Sequence, residues 1–392
     1  MHIAILALAP LAVFANKGYL PALLVAVLFN LRRDAAVALW RGHRLLVAGI
    51  ALVCIWAAAS LSFSPQHHVL QPVAVLALLP FGAVWVAGLA RLSPEPRRRL
   101  EHTTLFAVLL MLVLYVEELL SGAFFTRLFS PGAFSVEIKV YEKVAAGIVL
   151  LTPLLWPLAL RLGRRSRLLA LGCLVFAAVV IWLLPMATAV LALLVGAVTF
   201  LFAWWLPRAV LAAMAALFLA YMAVAPWLSL DVVTITSTRE AGIHLPSGWE
   251  HRLGIWNYAS KDIIADLPWG AGYDAARFIG ARGDVIEEMT LPDGSHPPAL
   301  PLHTHNGVIQ VWLELGIPGV AGLALLMLGF VRVLWLARLD RADRAARIAM
   351  FAALLAPFCL SFGVWQSWWL AAQVWVAGLS VLLARSSDPA AN

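Results

Sequence analysis

The stretch TAVLALLVGAVTFLFAWWLPRAVLAAMAALFLAYMAVAP, residues 188–226, contains a single charged side chain, Arg208. Pro207 and Arg208 divide it into two apolar runs, 188–206 and 209–226. Each is long enough to cross a hydrocarbon core as a helix, which takes roughly 17–25 apolar residues. In lipid the backbone polar groups have no water to bond, so a single spanning segment satisfies them as a helix. A short basic turn between two such runs reads as a helical hairpin in a membrane.

The same pattern recurs on both sides of this hairpin. Further spans are expected at 2–15, 19–31, 45–62, 70–90, 103–120, 144–160 and 168–184 before it, and at 306–337, 348–364 and 366–384 after it. The run 306–337 is too long for one crossing, and Gly316-Ile317-Pro318-Gly319 breaks it into a short interfacial helix and a span. The fold class is therefore an all-α polytopic membrane protein with about twelve transmembrane helices. Composition agrees: of 392 residues, 63% are hydrophobic and 12% charged, against roughly 25% charged in a soluble domain. The net charge of +7 sits in short clusters between apolar runs, a topology signal that argues against a nucleic-acid partner.

Those clusters orient the chain. Arg32, Arg33, Arg41 and Arg44; Arg91, Arg97, Arg98 and Arg99; Arg161, Arg164, Arg165 and Arg167; and Arg338, Arg341, Arg344 and Arg347 all fall on one side. The positive-inside rule makes that side cytoplasmic and puts both termini there. The apolar start at Ile3–Ala15 lacks a basic n-region and a small-residue cleavage site, so it reads as a first short helix. Residues 1–226 then form nine spans with short loops, 227–304 a long loop on the far side, and 305–392 an interfacial helix with the last three spans. Cys54, Cys173 and Cys359 lie in apolar runs, so neither a disulfide nor a thiolate metal site is expected. Trp365, Trp368 and Trp369 fall at an expected membrane boundary and read as an aromatic belt.

Cations on the far side need a reason. Lys17, Arg127, Lys139 and Lys143 lie in short loops there, and Arg239, Arg252, Lys261, Arg277 and Arg282 in the long one. They could meet headgroups or pair with Glu117, Glu118, Glu137 and Glu142. They could also hold a polyanion such as a pyrophosphate, for which the Arg fork is suited.

Two stretches of the long loop and its exit are more specific: Arg252-Leu253-Gly254-Ile255-Trp256 continuing to Pro268-Trp269-Gly270-Ala271-Gly272, and His305-Asn306 followed by Gly316-Ile317-Pro318-Gly319. In these the sequence resembles the O-antigen ligase family of a superfamily that also holds O-antigen polymerases and O-oligosaccharyltransferases. The resemblance implies a glycosyltransferase on the periplasmic face of the bacterial inner membrane. Its donor would be a polysaccharide on undecaprenyl pyrophosphate and its acceptor lipid A–core, with no cofactor, ATP or metal. On that reading His305 is the general base, with Asn306 or a neighbouring carbonyl fixing its tautomer. Arg252 is the first cation on the pyrophosphate. Lys17, Arg127, Lys139, Arg239 and Asn306 are further candidates for binding pyrophosphate or glycan. Direct displacement would invert the anomeric carbon.

Other readings remain at this point. An O-antigen polymerase would use the same donor and a second carrier-linked glycan, and a protein O-oligosaccharyltransferase a protein acceptor. A zinc site could gather His303, His305, His296 and Asp293, though their spacing is loose. From another class, a transporter or flippase for an anionic lipid would line its path with ionisable groups inside the spans, which are nearly free of charge at mid-depth.

Overall fold

A computed structural model describes residues 2–14, 18–28, 31–66, 70–92, 94–122, 124–129, 155, 164–183 and 187–383. Among these residues the chain is helical apart from turns, irregular connections and isolated bridges such as that between Val285 and Pro298. The first half comprises α1 (His2–Phe14), α2 (Tyr19–Leu28), α3 (Arg33–Gly42), α4 (Arg44–Ser60), α5 (Leu70–Leu89), α6 (Pro94–Ser121), α7 (Phe124–Phe129) and α8 (Arg164–Leu183). The second comprises α9 (Ala187–Trp205), α10 (Pro207–Trp227), α11 (Ile235–Glu240), α12 (Ser247–Ala265), α13 (Ala276–Gly280), α14 (Gly307–Leu336), α15 (Arg341–Leu360) and α16 (Ser367–Leu382). The expected span at 144–160 lies outside the described residues save Leu155.

Among the described residues, five helical segments are long and apolar enough to cross a membrane: Pro72–Leu89, Arg99–Glu118, Ala187–Trp205, Pro207–Val232 and Gly307–Leu336. The opening hairpin is thus α9 and α10, with Pro207 starting the second helix, where its missing N–H costs nothing. The Pro207–Val232 segment ends in a single wider turn, closed by Val233 N–H donating to Leu228 O at 2.7 Å.

Between the second and third expected spans, the basic cluster forms a helix of its own. α3 buries Ala35 and Leu39 while exposing Val37 and Trp40, and it meets α4 at 104°. This amphipathic pattern suits a helix lying along an interface. At its start Asp34 accepts from Arg32 Nη2 at 3.0 Å and from Arg91 Nε at 2.9 Å, joining two basic clusters at the surface.

The fourth cluster is not a uniform ring of headgroup cations. Arg347 is 4% exposed and bonds the buried Asp343 at 2.6 Å, as well as Ser380 O. A cation inside a helix bundle persists when paired and hydrogen-bonded in this way.

α4 and α14 form the centre of the bundle. A Cβ at Gly49 would stand 2.7 Å from Leu326 N and one at Gly322 2.7 Å from Val53 Cγ2, so small residues let the two backbones approach. The segment 227–304 is a folded layer rather than an open loop. Leu253, Ile255, Ala259, Ile263, Ile279 and Met289 share one core with Met222 and Ala225 of α10 and Val308, Ile309 and Trp312 of α14.

Candidate functional site

His305 sits at the junction between the folded layer and α14. Its φ is +55°, a conformation that costs a non-glycine residue about 1–2 kcal/mol. Neighbouring bonds hold it there. The His305 N–H donates to His303 Nδ1 at 3.1 Å, and the Thr304 hydroxyl, fully buried, donates to Asn306 O at 2.7 Å. His305 Nδ1 lies 2.8 Å from the Ser361 carbonyl oxygen. A carbonyl can only accept, so Nδ1 carries the proton and Nε2 is the basic nitrogen. The neighbouring carbonyl that sets the tautomer is Ser361 O, across the chain.

His303 packs against His305 with ring centroids 4.3 Å apart and the rings tilted by 57°. Because its Nδ1 accepts from a backbone N–H, its own proton is on Nε2, 3.2 Å from the Gln366 amide. The amide orientation that presents Oε1 accepts that proton and satisfies an oxygen otherwise buried without a partner. Burial, then the charges of His305, Arg277 and Arg252, lower the His303 pKa to about 3. His303 is therefore neutral near pH 7 and packs against His305. In the window from 6.5 down to about 3 the unfolded chain binds more protons, so His303 removes stability as pH falls through it. His303→Gln should flatten that loss, seen as a smaller drop in unfolding midpoint between about pH 7 and about pH 4.

α12 brings the Arg/Trp motif to the same place. Trp256 Nε1 donates to Thr304 O at 2.9 Å, and Arg252 is one turn earlier on the same helix. The Arg252 guanidinium bonds Gly248 O at 3.1 Å and lies 5.2 Å from the Trp249 ring, half-buried and fixed in direction. Arg277 on α13 is 3.3 Å from Asp274 and half-exposed. Burial raises the Asp274 carboxyl above its usual range, and Arg277 opposes that shift. The charges of both arginines act on His303, which places them on the same side of the protein as the histidine pair.

The frame beneath this edge explains the glycine and proline spacing. Pro318 has no N–H, so the Glu314 carbonyl loses its helical partner, and α14 breaks at Gly316, whose φ is +57°. The loop 268–272 takes the freed groups. Ala271 N–H donates to Leu313 O and Gly272 N–H to Glu314 O, both at 2.8 Å, while Ile317 N–H donates to Pro268 O at 2.8 Å. Trp56 Nε1 reaches Leu315 O at 2.8 Å. The two sequence motifs are thus halves of one joint.

Glu314 lies within it, fully buried. It accepts from Gln310 Nε2 at 3.0 Å, from the backbone N–H groups of Asp274 and Ala276 at 3.3 Å, and from Trp365 Nε1. Gln310 Oε1 in turn accepts from Val364 N–H at 2.9 Å. This network ties α13, α14 and the 361–366 turn together behind the histidines. Trp365, Trp368 and Trp369 consequently do not form an outward belt. They are 7%, 7% and 1% exposed, with Trp365 against Tyr273 and the other two against Phe362.

Asn306 and Arg239, also expected at the site, are engaged in contacts within the protein. Asn306 is fully buried as the cap of α14, its Oδ1 accepting from Val308 and Ile309 N–H at 3.0 and 3.2 Å and its Nδ2 donating to Tyr221 Oη at 2.6 Å. Asn306→Ala should cost about 1–2 kcal/mol through the lost cap, read as a lower unfolding midpoint in detergent. Arg239 forks onto Glu250 with both bonds at 3.1 Å and donates to Glu288 O at 3.0 Å. Arg127 is exposed on α7, and Lys17 and Lys139 lie outside the described residues. His296 Nδ1 faces Met289 O at 2.8 Å, and among the described residues no three His, Cys, Asp or Glu side chains gather as metal ligands.

Arg277, Asp274, Glu314 and Ser361 are the parts that the motif reading did not single out. Glu314 carried a signal, being the one carboxylate in the run 307–336. A carboxylate inside an apolar helix needs a partner and marks a site. Ser361 contributes only a backbone carbonyl, which no side-chain pattern reveals.

The family model described as O-antigen ligase matches residues 172–324. A protein of Rickettsia conorii named "Putative polysaccharide ligase" is 30% identical over 138 residues, 34% of this chain and 32% of the relative. Similarly named proteins of Rickettsia prowazekii and Rickettsia typhi are 28% and 27% identical over 135 residues, with the same coverage. The similarity thus spans about a third of the length of these relatives. Over residues 172–324 the protein is thus similar to the O-antigen ligase family.

Proposed function

We propose that this multi-pass membrane protein is a glycosyltransferase that moves a polysaccharide from undecaprenyl pyrophosphate to lipid A–core on the periplasmic face of the inner membrane. The observation that carries the reading is His305, held with Nδ1 on Ser361 O so that Nε2 is the basic nitrogen, beside the helix that bears Arg252. In the reaction an acceptor hydroxyl oxygen bonds the anomeric carbon while its proton passes to His305 Nε2. The anomeric C–O bond to pyrophosphate breaks, and the electron pair leaves with the phosphate oxygen. Arg252 and Arg277 would neutralise the charge that grows there, in fixed positions that need no reorganisation. The donor is already activated, so no nucleotide enters. A single displacement inverts the configuration, and a product with retained configuration would exclude that step.

The direct test is ligation by the purified full chain in liposomes, without nucleotide and with a chelator present. Sugar attached to lipid A–core supports the ligase, whereas lengthened carrier-linked chains with no core product would identify a polymerase. In the same assay Arg252→Ala should lower kcat/KM roughly hundredfold, the loss expected for one preorganised donor on a leaving group. Arg252→Lys should recover only part of it, because a point charge replaces a fork.

A further inference from the structure

At the far end of α14 from His305 lies a cavity of about 300 Å³ that the reaction does not use. Beyond its break at Gly316, α14 runs on to Leu336, about 30 Å at 1.5 Å per residue and close to the thickness of a hydrocarbon core. Trp204 and Trp205 at the end of α9, Pro207, Leu339, and Arg341 and Arg344 on α15 line the cavity.

The two arginines are built in. Arg341 spends its Nε on Trp204 O at 2.6 Å, and its guanidinium lies 4.1 Å from the Trp205 ring and 5.1 Å from that of Trp204. Its Nη1 and Nη2 donate no hydrogen bond among the described residues. Arg344 Nη2 reaches Ala337 O and Leu339 O at 3.3 Å, while its Nε is buried with no partner. The Arg341 Nη groups would donate to an anionic oxygen in the cavity, and such charge-assisted bonds are the strong ones. The nearby acids are engaged elsewhere: Asp340 accepts from Asp343 N–H, and Asp343 pairs with Arg347.

The surroundings decide which anion. Trp205 is 71% exposed, and Leu201, Phe202 and Leu206 beside it are exposed large apolar side chains on or next to a membrane-crossing helix. A free phosphate has no use for such a wall, whereas an acyl chain does. We propose that this cavity binds the phosphate of an anionic membrane phospholipid, with Arg341 and Arg344 on the phosphate and the α9 aromatic face against the chains. This site is independent of the glycosyl-transfer reading.

Native mass spectrometry of the full chain in detergent, titrated with phosphatidylglycerol or phosphatidylcholine, tests it. The wild type should retain one phosphatidylglycerol more tightly than phosphatidylcholine. Replacing both cations, Arg341→Ala with Arg344→Ala, should weaken that binding roughly thirtyfold, the combined attraction of two cations near an anionic headgroup. Arg338→Ala, outside the cavity, should not. If the double variant does not remain monodisperse, Trp205→Ala removes the ring under Arg341 from an exposed position and should also weaken binding. Equal binding of the two lipids by the wild type, or wild-type phosphatidylglycerol affinity in the double or Trp205 variant, would overturn the proposal. Displacement of the lipid by millimolar inorganic phosphate would assign the cavity to the free ion and overturn the lipid assignment.

Discussion

Replacing His305 by asparagine should abolish ligation in liposomes while leaving the protein folded. Asparagine tolerates the positive φ that His305 adopts better than other side chains do, so it separates loss of the base from loss of the backbone turn. A positioned general base contributes roughly 10²–10⁴-fold. The loss should fall on kcat, because Arg252 and Arg277 would still bind the donor. His305→Ala should lose the same chemistry and more stability, since alanine is strained at this φ. Full activity in His305→Asn would mean that the acceptor proton goes elsewhere, and His303, neutral and bonded through both ring nitrogens, is a poor replacement. Activity lost only through a raised KM would instead make His305 a glycan-binding residue.

How much of this site the sequence revealed depends on whether a residue acts through its side chain or through the backbone. The apolar runs that became α5, α6, α9, α10 and α14 were legible, because lipid imposes length and composition on each helix separately. α3 was not, since ten residues with an arginine near each end look like a loop between spans until Ala35 and Leu39 are seen on one face. His305, Arg252 and Trp256 stood out as polar side chains at set spacings. The support behind them is long-range: Ser361 O and Trp365 Nε1 reach His305 and Glu314 across 56 and 51 residues. Such pairings leave no local period. Trp365 misled for the same reason, because an aromatic near a boundary looks alike whether it faces lipid or a buried carboxylate.

The joint between loop 268–272 and α14 should be the most sensitive point of the framework, with Gly316→Ala costing about 3 kcal/mol or more. A Cβ there would stand 2.2 Å from Pro268 O and 2.6 Å from the Trp269 carbonyl carbon, neither of which can rotate away. The alanine would also have to hold a φ of +57°. One escape is for α14 to straighten through residue 316. The Leu313 carbonyl would then return to Ile317 N–H, and Ala271 N–H and Pro268 O would lose their partners. Glu314 O would gain nothing, because Pro318 offers no N–H. Either route loosens the loop that leads into α13, and with it the Asp274 and Ala276 N–H groups on Glu314. Gly283→Ala supplies the comparison: its φ is +83° but a Cβ there meets nothing within 4 Å, so it should cost only the backbone strain, about 1–2 kcal/mol. A clearly lower unfolding midpoint in detergent for Gly316→Ala than for Gly283→Ala, with ligation lost in the former, is the expected result. Equal midpoints would mean that loop and helix are not locked together, and that the two motifs stand side by side for another reason.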